Sequence, residues 1–247
     1  MKVLALSTST QRGTAAILED DRVLGVSNYA DLGGHAERIF AAITEALDAA
    51  NVQRSEIELI ACDIGPGSFT GVRVGVASAK GLALGLGVPL VGVGSLEAMA
   101  DEAFATGAAK PRDLVATVID AKKQEFFLAV YDASGQTRWT PVHVPTAEAA
   151  RLVREELSRF LQDNVGICVV GEAALLDADL GAVVVRGTSF DVPDAVAIGR
   201  VGRRRFALEE RRVEVFDPGL LEPSYVRPPD AKPMVAAVPV ERANHFS

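Results

Sequence analysis

The order of apolar segments along the chain limits the fold more than any other feature of the sequence. Three short strand-like runs, over residues 2–6, 14–18 and 22–27, precede an amphipathic helix over 35–50. A strand over 59–64, a helix over 71–86, a strand over 89–93 and a helix over 95–105 follow. The second half repeats the theme with a hairpin over 113–132, a helix over 146–160, a strand over 166–172 and a helix over 194–210. A theme that occurs twice predicts an α/β fold with duplicated mixed-sheet lobes.

The duplication also predicts the domain organisation. We expect an N-terminal lobe over residues 1–107 and a C-terminal lobe over 108–216, with the last helix, about 194–210, packing back on the first lobe. Prolines punctuate residues 217–247, so we expect an irregular C-terminal extension there.

Composition narrows the function classes. With 247 residues, 49% of them hydrophobic, the chain can bury a large core. The sequence contains neither a basic leader nor an apolar run of membrane-spanning length, so we expect a cytoplasmic protein. A net charge of -8 disfavours broad electrostatic binding to nucleic acid. Cys62 and Cys168 lie in apolar strand-like runs, which indicates buried, reduced thiols.

The segment Gly65-Pro66-Gly67-Ser68-Phe69-Thr70-Gly71 is the most distinctive local motif. Its glycines and proline suit a tight turn, and Ser68 or Thr70 can cap the helix that follows. The amides at a helix start also attract anions. The motif lacks the Lys-Ser or Lys-Thr pair of a phosphate loop and the glycine pattern of a nucleophile elbow. A structural turn and an anion or nucleotide contact both remain open from the residues alone.

Other patterns of catalytic residues are weaker. The three histidines, His35, His143 and His245, are isolated, and no spacing places two metal ligands on one helix face. Acidic pairs such as Glu155-Glu156 fit solvated helix faces or turns. The residues alone identify no catalytic pair.

Several stretches together resemble the TsaB family. They are the opening "MKVLALSTST", the segment from Ile57 to Ala100 with "GPGSFTGVR", the hairpin "VIDAKKQEFFLAVY" and the late "EPSYVRPPDAKP". TsaB proteins take part in threonylcarbamoylation of the tRNA adenosine next to the anticodon. The resemblance implies the two-lobed fold shared by actin, hexokinase and Hsp70 ATPase domains. It also implies two partners: the transferase TsaD, a paralogue that binds as a heterodimer, and the ATPase TsaE.

Departures from the paralogue imply a non-catalytic chain. Ser95 and Met99 occupy the places where TsaD-like transferases carry two metal-binding histidines, and neither side chain suits a hard cation. Ser7 stands where relatives keep an acidic residue in the first strand. We therefore expect no catalytic residue, metal or cofactor in this chain, with ATP and metal belonging to partner subunits. The vestigial nucleotide or anion contacts would be Gly65, Gly67, Ser68, Thr70 and Asp120.

The same resemblance leads to a predicted partner surface. A helical projection of residues 71–86 places Gly75, Ser78 and Leu82 toward the sheet and the opposite face toward TsaD, or toward a second copy when TsaD is absent. Coverage of this face by the chain's own C-terminal helix or tail is the alternative. The predicted interface residues are Ile39, Ile43, Arg73, Val76, Ala77, Lys80 and Leu84.

The arginine-rich segment "GRVGRRRFALEERR" raises the question of direct tRNA contact. Intervening glutamates such as Glu209 and Glu214 favour a salt-bridged solvated face, so we expect tRNA to be contacted indirectly. A different function class also stays open: a residual ATPase, a small-molecule kinase or a peptidase of the actin-like superfamily.

Overall fold

The first of two five-stranded sheets is built from the N-terminal half of the chain. The computed structural model describes residues 1–30, 34–158, 165–172, 183–184 and 188–226. In this sheet the strands follow the order β3-β2-β1-β4-β5. Their bounds are β1 Lys2–Ser7, β2 Arg12–Glu19, β3 Arg22–Ala30, β4 Leu59–Asp63 and β5 Leu90–Val93.

The second sheet repeats this arrangement. Its strands are β6 Leu114–Lys122, β7 Glu125–Tyr131, β8 Thr137–Pro145, β9 Ile167–Gly171 and β10 Val183–Val184, in the order β10-β9-β6-β7-β8. In both sheets the first three strands form an antiparallel meander, and the fourth strand pairs parallel with the first. The predicted duplicated, mixed-sheet α/β fold is confirmed.

Apart from the short helix over 188–191, which sequence analysis missed, the described helices lie close to their predicted places. They are α1 His35–Ala50, α2 Phe69–Leu86, α3 Ser95–Ala105, α4 Thr146–Ser158, α5 Thr188–Asp191 and α6 Ala195–Leu208. The predicted end of α4, at residues 159–160, lies outside the described residues. Sequence analysis missed β8, which contains Pro141 and Pro145. The order of the second sheet puts β8 at an edge, where prolines are tolerated.

Apolar cores lie on both faces of each sheet. One core joins the first sheet to α1 and α2, and a second joins the other face of that sheet to α6. Close approach of α6 requires small residues, because a Cβ at Gly199 would lie 2.5 Å from Leu18 Cδ1 and one at Gly202 would lie 2.6 Å from Ala61 Cβ. Two further cores flank the second sheet, against α4 and α3.

Two expectations from composition can be compared with the structure. Cys62 and Cys168 are buried free thiols, as predicted, and burial raises the pKa of Cys168 to about 11. None of the helices in the described ranges is long and apolar enough to cross a membrane.

Candidate functional site

The loop between β4 and α2 packs tightly against the turn between β1 and β2. A Cβ at Gly67 would lie 2.2 Å from the carbonyl oxygen of Ser9, and one at Gly71 would lie 2.0 Å from that of Thr8. Gly65 has a φ of 98°, which favours glycine, and the Gly65-Pro66 peptide bond is cis. The glycines of the motif are therefore required by close backbone approach and by the shape of the turn.

Several amides of this loop are occupied by the chain's own oxygen atoms. Ser68 N donates to Ser9 O at 2.6 Å. Ser68 is the N-cap of α2, with its hydroxyl accepting from Gly71 N at 3.2 Å. Gly65 N donates to the Asp63 carboxylate at 2.9 Å. These internal bonds take up amides that a bound anion would need, which favours the structural-turn interpretation of the motif.

A buried carboxylate lies directly behind the loop. Asp63, the last residue of β4, is 1% exposed and accepts hydrogen bonds from three serine hydroxyls as well as from Gly65 N. Ser7 and Ser9 donate to its Oδ2 at 2.6 and 2.5 Å, and Ser95 donates to its Oδ1 at 2.5 Å. We call these four side chains the Asp63 cluster. The cluster ties the ends of β1 and β4 to the start of α3.

Two effects on the pKa of Asp63 oppose one another. Burial is the larger and raises the pKa above its ordinary value, because a carboxylate loses its hydration inside the protein. The hydroxyls of Ser7, Ser9 and Ser95 and the Gly65 amide lower the pKa, since all four donate to the ionised form. The N-terminus of α3, which begins at Ser95, adds a favourable field for negative charge.

Asp63 changes the interpretation of Ser7. The sequence indicates that the end of β1 lacks an acidic residue, yet Leu6 pairs with Cys62 in the parallel β1–β4 ladder, so the next residues on the two strands are Ser7 and Asp63. Asp63 of the neighbouring strand β4 therefore places a carboxylate beside Ser7. Sequence analysis missed it, although one signal was available: an acid ends an otherwise apolar strand immediately before the loop.

The remaining predicted contacts are dispersed. Met99 is buried in the core between α3 and the second sheet, whereas Ser95 belongs to the Asp63 cluster. Thr70 is exposed at the start of α2. Asp120 lies on β6, where it accepts from Lys122 N and Lys122 Nζ, both at 2.7 Å. Within the part of the chain that the structure describes, no bond brings Asp120 to the Gly65–Gly71 loop, and no group of three His, Cys, Asp or Glu side chains could hold a metal ion.

The predicted partner surface requires a correction. Ile39, Ile43 and Val76 are buried in the core between the first sheet, α1 and α2, and Val76 is only 4% exposed. Their side chains are thus covered within the chain itself. The projection placed Val76 outside because α2 is apolar nearly all round, so periodicity did not show that α1 packs against it. Arg73, Ala77 and Leu84 are exposed, with Leu84 at 67%.

Part of the outer face of α2 is covered by the chain itself. Residues 221–226, here called the C-terminal strap, run beside α2 without regular secondary structure. Lys80 Nζ donates to Leu221 O at 2.8 Å, and Arg73 Nε donates to the Tyr225 hydroxyl at 2.8 Å. The sequence raised the alternative that the chain's own tail covers this face. That alternative is correct for Lys80 and for one side of Arg73. Residues 227–247 of the predicted extension lie outside the described residues.

The arginine-rich helix α6 makes ion pairs within the protein. Arg200 bonds to Asp101 at 3.0 Å and to Glu102 at 2.5 Å, and Arg205 bonds to Glu97 at 2.8 Å. Arg203 pairs with Asp21 and Arg204 with Asp101. These partners lie on α3 and in the turn between β2 and β3. Among the described residues, the neighbouring glutamates that the sequence suggested contribute one pair, Glu209 with Arg212 beyond the end of α6. These ion pairs connect α6 to α3 and to the turn between β2 and β3.

Comparisons with known proteins give a consistent picture. Residues 32–162 match the profile of the family described as "TsaD: tRNA N6-adenosine threonylcarbamoyltransferase". The chain is 29% identical to the tRNA threonylcarbamoyladenosine biosynthesis protein TsaB of Escherichia coli, over 92% of this chain and 95% of the relative.

Solved structures match the fold as a whole. YeaZ from Pseudomonas aeruginosa superposes with a TM-score of 0.72 at 25% identity, covering 91% of this chain and 99% of that one. The ROK hexokinase of Thermus thermophilus superposes with a TM-score of 0.51 at 15% identity, covering 84% and 99%. The hexokinase match concerns the fold alone and confirms the expected two-lobed, actin-like and hexokinase-like architecture.

Proposed function

We propose that this chain, which belongs to the TsaB family, is a non-catalytic accessory subunit in the biosynthesis of threonylcarbamoyladenosine in tRNA. Similarity to the Escherichia coli TsaB protein over 92% of the chain is the observation that carries the proposal. The match to the threonylcarbamoyltransferase family over residues 32–162 supports the same pathway.

The proposed direct partner is the transferase TsaD. The exposed stripe of α2 formed by Arg73, Ala77 and Leu84 would meet it, because a solvent-exposed leucine beside small residues suits helix packing. A Cβ at Gly81, which lies about 40° from Ala77 around α2, would meet nothing within 4 Å. The ATPase TsaE would join within the complex, tRNA would be contacted through the partners, and a second copy would cover the stripe when TsaD is absent.

Several contacts support an accessory role rather than catalysis. The Asp63 carboxylate is buried and receives four internal hydrogen bonds, so it is poorly placed to bind a metal or a phosphate group. Two nearby amides, those of Ser68 and Gly71, are bonded internally as well. In this proposal ATP and metal are bound by the partner subunits.

An enzyme of the actin-like superfamily is the second candidate, and the hexokinase-like fold favours it. A serine peptidase would need a histidine beside a nucleophilic serine. The described imidazole, that of His143, lies 2.8 Å from Glu125 on the second sheet rather than beside the Asp63 cluster. Metal-dependent phosphate release that survives repurification would favour the enzyme and contradict the accessory role.

Copurification tests the partner assignment. The chain is purified from native lysate and its companions are identified by mass spectrometry, with a charge-bearing Ala77→Glu variant as the matched control. We expect TsaD with the wild type and much less with the variant. Recovery of the wild type with no transferase would contradict the proposal.

A further inference from the structure

Two aromatic rings enclose an arginine at the start of α2. Phe69 opens the helix, Arg73 follows one turn later, and Tyr225 comes from the C-terminal strap. The Arg73 guanidinium carbon lies 3.7 Å from the centre of the Phe69 ring and 5.7 Å from that of Tyr225. The two rings are 5.6 Å apart. We call this arrangement the arginine clamp; it joins two sequence segments that are far apart in the chain, "GPGSFTGVR" and "EPSYVR".

The clamp fixes the direction of the guanidinium. Arg73 Nε donates to the Tyr225 hydroxyl at 2.8 Å, and stacking on Phe69 holds the guanidinium plane. Tyr225 is itself held by its neighbours in the strap, because Ser224 N donates to Ile64 O at 2.8 Å and Leu221 O accepts from Lys80. The strap is therefore anchored at two other points, and holding it in place does not by itself require the arginine.

No carboxylate in the described part of the chain pairs with the charge of Arg73. Among the described residues its terminal nitrogens make no hydrogen bond, whereas Arg200 of α6 binds two carboxylates. Phe69 and Tyr225 remain 46% and 48% exposed. Arginine and tyrosine anchors are typical of the energetically dominant residues in protein interfaces. A pre-oriented arginine fork matches the geometry of a carboxylate.

The clamp is continuous with the exposed stripe of α2. At 100° per residue, Phe69, Arg73, Ala77 and Leu84 fall within about 80° of one another around the helix. A partner that covers Ala77 and Leu84 would therefore reach the clamp at the N-terminal end of α2.

We propose that Arg73 forms an ion pair with an acidic side chain of the protein partner that docks on α2. Tyr225 is the positioning residue that orients the arginine. The inference rests on the proposed function, because the partner is taken to be the transferase. The surroundings favour a carboxylate over an RNA backbone, since Lys80 is already bonded to Leu221 O and Glu222 and the chain carries a net charge of -8. A single cation without a carboxylate partner among the described residues suits one acidic side chain better than a track of phosphates.

Binding of purified TsaD to the full-length chain tests the inference, measured by calorimetry at low and moderate salt. We expect Arg73→Ala to weaken binding about tenfold or more and to flatten its salt dependence, with Arg73→Lys intermediate. Tyr225→Phe should weaken binding by about threefold or more while the melting temperature stays unchanged, because the ring remains and only the hydroxyl is lost. Arg112→Ala, which removes an exposed arginine in the turn before β6, is the matched control and should bind like the wild type.

The other outcomes have distinct meanings. An Arg73→Ala variant that binds TsaD like the wild type overturns the inference and leaves the proposed function intact. If Arg73→Ala binds TsaD normally but binds tRNA more weakly, Arg73 contacts RNA, and the inference is likewise overturned. If Arg73→Ala lowers the melting temperature but leaves the salt dependence of TsaD binding unchanged, the clamp only anchors the strap and the inference is wrong. A wild type that fails to bind TsaD contradicts the proposed partner as well as the inference.

Discussion

Asp63 illustrates, at the scale of a single residue, how the chain accommodates a buried carboxylate. Four donors satisfy its oxygens, and they come from β1, from the turn after β1, from the loop after β4 and from the first residue of α3. The donors Ser7 and Ser95 are 56 and 32 residues away in sequence. Local patterns cannot reveal such a cluster, because only the parallel pairing of β1 with β4 brings its members together.

The pKa of Asp63 leads to a stability prediction. Burial raises the folded-state pKa above the ordinary 3.8, so the fold favours the protonated form. That contribution is fully present below pH 3.8 and is lost as pH rises through the higher folded-state value. We therefore expect the stability of the wild type relative to Asp63→Asn to fall as pH rises through this window, by about 1.4 kcal/mol per unit of pKa difference.

Urea denaturation of the two proteins at a series of pH values measures this difference. Subtracting the Asp63→Asn curve removes the titration of the other carboxylates. A relative stability that rises with pH would show that the four hydrogen bonds outweigh desolvation at Asp63.

At the scale of elements, α2 shows where periodicity fails. A helix that is apolar on nearly every side gives a weak directional signal, so periodicity predicts a partner-facing position for Val76, which instead lies in the core shared with α1. Gly75 and Ser78 are buried as predicted, but Leu82 is only partly buried and Val76 belongs to the core. The charged residues of α2 did not reveal its exposed face either. Arg73 binds Tyr225 and Lys80 binds Leu221, and these strap residues are 152 and 141 positions away in the sequence.

The corrected orientation changes the expected effect of a new charge on α2. Val76→Glu would bury a carboxylate without a partner and should lower the free energy of unfolding by about 3 kcal/mol or more. Ala77→Glu is its matched control: the site is exposed, so stability should change by less than about 0.5 kcal/mol while TsaD binding weakens. Thermal melts and a pull-down separate the two effects, and equal destabilisation by both variants would mean that Ala77 is covered within the chain.

The glycines of α2 give an independent test of loop packing. Gly71→Ala forces a Cβ to within 2.0 Å of Thr8 O, so the β1–β2 turn must move, at a cost of about 2 kcal/mol or more. Gly81→Ala meets nothing within 4 Å and should stabilise the helix by about 0.5–1 kcal/mol. Chemical denaturation gives both values. A tolerated Gly71→Ala would show that the loop does not depend on this close approach.

At the scale of the whole molecule, most of the architecture follows from the order of elements. Helix α3 was predicted at its observed bounds, and the repeated order of hairpin, helix and strand predicts two similar sheets. The missed strand β8 contains prolines, which hide an edge strand from pattern analysis. The candidate site was less predictable, because the Asp63 cluster and the arginine clamp both depend on contacts between distant segments.

Helix α6 connects the two halves of the chain. It packs on β1 and β4 of the first sheet, and its arginines bind acids of α3. We propose lobe boundaries near Gly107 and Phe216, with α6 belonging to the first lobe by its packing although it follows the second sheet in sequence. Such a crossing links the lobes into one structure that could present α2 in a fixed orientation to a partner.

Nucleoside mass spectrometry of tRNA tests the central claim most directly. Cells depleted of this chain and complemented with the wild type, with Ala77→Glu or with an empty vector are compared for threonylcarbamoyladenosine content. An accessory subunit acting through α2 predicts loss of the modified nucleoside on depletion, recovery with the wild type and poor recovery with Ala77→Glu. Unchanged threonylcarbamoyladenosine after depletion would contradict the proposed function.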